Sequence, residues 1–134
     1  MIRRPNFLTI LWALIILILC GTPGKDVPHF SFLDLLAIDK FVHVGFFFVL
    51  VILAIRGFRL QSSQKWRCKN STFLAVSLSI LYGGILEILQ ETVFVDRSAD
   101  INDFIANSFG CFVALLLYPK IASRFSGLKF KMPL

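Results

Sequence analysis

The amino-acid sequence predicts an all-α fold: a four-helix transmembrane bundle with both termini on the cytoplasmic side. Three observations carry that expectation. Of 134 residues, 57% are hydrophobic and 15 are Phe, with a mean hydropathy of +0.78. Soluble domains are roughly 45–50% apolar, and a chain this short cannot bury the excess in a core of its own. Four apolar segments approach the roughly 20 residues that cross a bilayer. The charges segregate, which sets the orientation.

The first segment, Phe7–Thr22, has 16 residues and spans narrowly, at about 24 Å of helix. Arg3 and Arg4 before an apolar run also describe a signal peptide, and Leu-Ile-Leu-Cys at Cys20 faintly resembles a lipoprotein cleavage site. Leu19 is too large for that site, and no small-x-small site follows, so the segment reads as an uncleaved helix. Phe41–Phe58, Phe73–Val95 and Ile101–Ile121 are the second, third and fourth helices of a single domain over residues 1–134. No internal repeat, low-complexity tract or linker interrupts them.

With four crossings, eleven of the fourteen basic residues fall on one side. They lie at the N-terminus, in the loop from Arg56 to Lys69, and from Lys120 to Lys131. The positive-inside rule makes that side the cytoplasm. This placement explains the net charge of +6 without nucleic acid, since no basic groove with interleaved aromatics is present. The loop Phe58–Ser71 can also meet anionic headgroups. Cys20, Cys68 and Cys111 form no CxxC or Cys/His pattern, and the topology separates Cys20 from Cys68, so neither a zinc knuckle nor a disulfide is expected.

The acids answer a different question. All eight fall at or near the outer face, although carboxylates carry little weight in topology. Asp39, Lys40 and His43 open the second helix. Glu87, Gln90 and Glu91 close the third. Asp100, Asp103 and Asn107 open the fourth, with Arg97 in the turn before it. Spacings of three and four put each set on one helix face, and ionisable groups in membrane helices face the bundle interior or a wet cavity. The sequence therefore predicts an outward-facing polar cleft among three helix ends. Glu87, eight residues before Val95, is its deepest acid.

Plainer roles compete. Asp39 and Asp100 can cap helix N-termini, Lys40 can snorkel, and Arg97 can serve as counter-ion to Asp100 or Glu91. Asn107 suits an interhelical hydrogen bond. Ala106, Gly110 and Ala114 form a small-residue seam for close packing, with Tyr82, Gly83 and Gly84 as a complementary groove. Glu87 and Asp103 lie inside helices, where capping alone does not account for them.

The runs DKFVHVGFFFVLVILA, ILEILQE and DRSADINDFIANSFG resemble the VanZ-like family of small bacterial membrane proteins. The likeness covers residues 39–118. Its matching positions are Asp39, Lys40, His43, Glu87, Gln90, Arg97, Asp100, Asp103, Asn107 and Gly110. The resemblance implies a multi-pass protein of the bacterial cytoplasmic (inner) membrane with a cell-envelope role and an association with teicoplanin resistance. It supplies no reaction.

Three functions fit the residues. The first is binding of a lipid-linked cell-wall precursor or glycopeptide. The second is a membrane-embedded hydrolase or transferase using His43, Glu87 and Asp103, with a divalent cation such as Mg²⁺, Mn²⁺ or Ca²⁺ on Glu87, Asp100 and Asp103. The third is proton-coupled transport through Glu87 in an oligomer. A Ser/His/Asp triad through Ser98 or Ser108 has no supporting spacing.

Overall fold

The computed structural model describes residues 6–23, 32–61 and 65–124. Arg3, Arg4, Lys25, Asp26, Lys129 and Lys131, which contribute to the charge pattern, lie outside them, as does the side chain of Cys68. The described residues form four α-helices: α1 (Phe7–Cys20), α2 (Phe32–Gln61), α3 (Lys65–Thr92) and α4 (Ile101–Arg124). Three stretches are long and apolar enough to cross a membrane: Ile38–Leu60, Lys69–Thr92 and Ile101–Arg124. At 14 residues, α1 is only about 21 Å long.

The helix ends depart from the apolar boundaries. Phe32 starts α2 nine residues before the expected Phe41, and Lys65 starts α3 eight residues before Phe73. Leu, Ala, Lys and Gln favour helix whether or not lipid surrounds them, so the backbone coils beyond the greasy stretch. Asp39 consequently sits inside α2 and is not an N-cap. At the other end α3 stops at Thr92 rather than Val95. Glu87 is therefore five residues from the helix end, roughly 7.5 Å at helical rise, and less deep than expected.

The bundle runs up-down-up-down. The Gln90 amide donates to the Cys20 carbonyl, 3.2 Å, and Lys40 reaches Asp100, 2.9 Å. The ends of α1 and α3 thus share one end of the bundle with the starts of α2 and α4. The core is built from Phe47, Val51 and Ile55 of α2, Ile16 of α1, Leu86 of α3, and Cys111 and Ala114 of α4. Phe41, Phe73 and Leu116 face outward, each more than 70% exposed; such faces suit lipid.

The largest helix interface joins α2 and α4. A Cβ on Gly110 would collide with the Val44 carbonyl and approach the Val44 Cα at 3.1 Å. Within the small-residue seam of α4, Gly110 therefore packs on the α2 backbone. The glycines of α3 face both of those helices: Gly83 faces Phe47 of α2 and Asn107 of α4, and Gly84 faces Phe104 of α4. α1 is fastened by indole and phenol donors. Trp12 Nε1–H donates to the Phe46 carbonyl, 3.0 Å, and Tyr82 O–H to the Ala13 carbonyl, 2.6 Å. At the far end Arg59 turns inward, donating to Ser71 Oγ at 3.0 Å and lying 5.0 Å over the Tyr118 ring, a cation–π distance.

Candidate functional site

The polar residues of the shared end divide into a charged cluster and a set of fasteners. The cluster lies between α2 and α4. Asp39 and His43 stand four residues apart on one face of α2. Asp100 precedes α4, its Oδ1 accepting from the Asn102 N–H at 2.8 Å, so the N-cap expected there is present. Asp103 and Asn107 follow one and two turns into α4.

Lys40 crosses from α2 to hold these acids together. Its ammonium donates to Asp100 Oδ2 at 2.9 Å and to Asp103 Oδ1, and lies 3.6 Å from Asp39 Oδ2. It does not snorkel outward. Asp100 lies outside the spanning segments, and its carboxyl is held below the usual aspartate range, first by the Lys40 hydrogen bond and then by the Asn102 N–H.

His43 lies beneath Lys40, only 7% exposed. Its Nδ1 meets Asn107 Oδ1 at 2.9 Å. With Asn107 in this orientation its amide oxygen accepts, which makes Nδ1 the donor. Nε2 then faces Asp39 Oδ1 at 3.7 Å and Asp103 Oδ2 at 3.8 Å. Both separations exceed hydrogen-bond length.

The fasteners work differently. Gln90 bonds the Cys20 carbonyl. Arg97 Nε donates to the Thr22 carbonyl at 2.8 Å instead of pairing with Asp100 or Glu91. Both residues hold the end of α1. Exposed Glu91 accepts from the Ala99 N–H, 2.9 Å, and shapes the turn into α4. Asp96 lies in that turn at φ 55°, a left-handed conformation that Asp tolerates better than most residues.

Glu87 belongs to both groups. Its Oε2 accepts from the Asp100 N–H at 2.9 Å, while its Oε1 is buried with no partner among the described residues. Gln90 Oε1 and Asn107 Nδ2 are likewise buried and unbonded. Glu87 and Asp100 also line an open cleft of about 590 Å³ between α3 and α4, whose remaining walls are Gly84, Ala99, Ile101 and Phe104. Sequence reading missed Ile101 and Phe104 as site residues, because an apolar wall looks like any other lipid-facing position.

Structure and sequence thus differ on the expected cation ligands. Glu87, Asp100 and Asp103 do not converge as a trio: Asp100 Oδ2 and Asp103 Oδ1 are taken by Lys40, and Glu87 grips a backbone N–H. Among the described residues, the ligand atoms that do converge belong to Asp39, His43 and Asp103, all within 4.8 Å of one another.

Among known proteins, the family model described as VanZ/LLP1 matches residues 6–123. No curated protein and no solved structure matches.

Proposed function

The chain belongs to the VanZ/LLP1 family, and from that premise we propose that it binds a lipid-linked component of the bacterial cell envelope at the polar end of its bundle. In this reading it is a multi-pass protein of the inner membrane, with both termini in the cytoplasm and the polar end facing outward. The α3–α4 cleft is the observation that carries the reading. Its floor is acidic, with Glu87 and Asp100, and its walls are apolar, with Ile101 and Phe104. Ile88 and Ile105, on the neighbouring faces, are 63% and 57% exposed. A headgroup can enter sideways from lipid with its chain still solvated by the bilayer. Two carboxylates among the cleft's lining residues suit a headgroup that bears an amine or sugar hydroxyls. A glycopeptide of the teicoplanin type offers the same groups, which fits the resistance association that the resemblance implies.

A membrane-embedded hydrolase or transferase is the second reading. One observation favours it: His43 is oriented by Asn107 and faces two carboxylates, an arrangement suited to acid/base work.

Native mass spectrometry of the detergent-purified protein tests the first reading. Wild type should carry a co-purifying amphiphile. Gly84→Leu, which fills the cleft beside Phe104, and Glu87→Gln should lose it while melting close to wild type. Equal lipid on all three proteins would remove the cleft from consideration. Bound lipid that leaves chemically altered from wild type, but unaltered from His43→Ala, would transfer the case to the enzyme.

A further inference from the structure

We propose that Asp39, His43 and Asp103 form a binding site for a divalent transition-metal ion of the Zn²⁺ class. This inference stands on different atoms from the lipid cleft and does not depend on it.

The geometry is that of ligands awaiting one shared cation. His43 Nε2, Asp39 Oδ1 and Asp103 Oδ2 lie within 4.8 Å of one another. The two His–carboxylate separations, 3.7 and 3.8 Å, are too long for hydrogen bonds. Two ligands on a tetrahedral ion with bonds near 2.1 Å stand roughly 3.4 Å apart, so the two His–carboxylate separations need contract by only a few tenths of an ångström, while the carboxylate pair stands within 4.8 Å. Asp39 and His43 sit one turn apart on α2, and Asp103 comes from α4. The tight Val44–Gly110 crossing sets the distance between those helices.

Two independent features point to a cation rather than to a set of ordinary polar contacts. His43 is more than nine-tenths buried, and Nδ1 is committed to Asn107. Nε2 is then the ring nitrogen left to face two carboxylate oxygens, and a cation among the three atoms is held by all of them. A ligating His whose other ring N–H is held by an oxygen acceptor is the usual arrangement around bound metals. The second feature is charge. Asp39, Asp100 and Asp103 all lie within 4.0 Å of the Lys40 ammonium. Three carboxylates and one ammonium sum to −2, and a dication neutralises that sum.

Lys40 does not occupy the site. It holds Asp103 Oδ1 and Asp100 Oδ2, while the proposed ion takes Asp103 Oδ2. An imidazole with two carboxylates suits Zn²⁺ or its neighbours better than Mg²⁺ or Ca²⁺, which prefer oxygen alone. Three protein ligands leave a coordination position for water or an incoming ligand.

The test is zinc titration of the chelator-stripped, detergent-purified full chain, with metal content and thermal stability as readouts. Wild type should bind close to one Zn²⁺ per chain and melt higher when loaded. Asp39→Asn and His43→Ala should each weaken binding at least tenfold, and Glu91→Gln should not. The Asp39 side chain is 43% exposed, so Asp39→Asn decides the matter if His43→Ala fails to fold. Absence of stoichiometric zinc in wild type overturns the proposal. Zinc retained equally by wild type and Asp39→Asn also overturns it, marking an adventitious ion only.

Discussion

Replacing Gly110 by Ala should damage this protein far more than replacing Gly45, although both changes add one methyl group to an apolar helix. On Gly110 the new Cβ would lie 3.0 Å from the Val44 carbonyl carbon and 3.1 Å from its Cα, and nearer still to the carbonyl oxygen. Carbon atoms prefer about 3.5–4.0 Å, so α4 must withdraw from α2 by at least about half an ångström. Overpacking of this kind costs about 1–3 kcal/mol. A withdrawal of that size also stretches the 2.9 Å His43–Asn107 bond, whose net worth is about 1 kcal/mol. A combined loss near 2–4 kcal/mol, less the gain of up to about 1 kcal/mol from removing a helix glycine, lowers the melting temperature on the order of 10 °C. On Gly45 the same methyl meets no atom within 4 Å and removes a helix glycine, a gain of up to about 1 kcal/mol. Thermal unfolding in detergent, followed by circular dichroism, compares the two. If Gly110→Ala melts like Gly45→Ala, the close α2–α4 crossing is not how the bundle packs, and the distance logic of the His43 cluster goes with it.

Lys40→Met should leave Asp39, Asp100 and Asp103 without their shared ammonium and cost on the order of 2 kcal/mol of stability, since breaking a partly buried pair strands like charges; a thermal shift at neutral pH measures it, and Lys40→Arg should recover part. The Asp100 carboxyl is held below its ordinary value of 3.8. Its stabilising contribution is therefore complete above that value and lost as pH falls through the lower folded one. Acid unfolding of Asp100→Asn should accordingly show a flatter pH dependence below pH 3.8 than wild type. Maleimide labelling at Cys68 should occur only from the cytoplasmic face; labelling from outside intact cells would invert the proposed orientation.

Hydropathy located the membrane-facing part of each helix because lipid exposure is what it measures. It could not locate helix ends, since Phe32–Lys40 coils without being uniformly apolar. Periodicity correctly put Asp39 with His43, and Asp103 with Asn107, because spacing within a helix is a local property. It could not say which faces meet. Lys40 finds its acids 60 and 63 positions away, and nothing in one chain distinguishes that pairing from a lysine reaching outward. The partners of Arg97 and Gln90 were hidden for a related reason. Both are polar and near the acids, yet each serves a carbonyl at the end of α1, and backbone acceptors leave no signature in composition.

The shortness of α1 bears on the shape of the surrounding bilayer. Its roughly 21 Å of helix stands beside a hydrocarbon layer of about 30 Å, with Phe7, Ile10 and Ile18 turned outward. Its C-terminal end is pinned by Gln90 and Arg97, so it cannot slide to share the mismatch between the two leaflets. Were α1 to cross, lipids on that flank would have to shorten or tilt, while those beside α2 and α4 would not. An α1 that crosses the bilayer with the other three helices would thus dimple it on one flank, and bilayers of shorter acyl chains should then accommodate the protein with least strain.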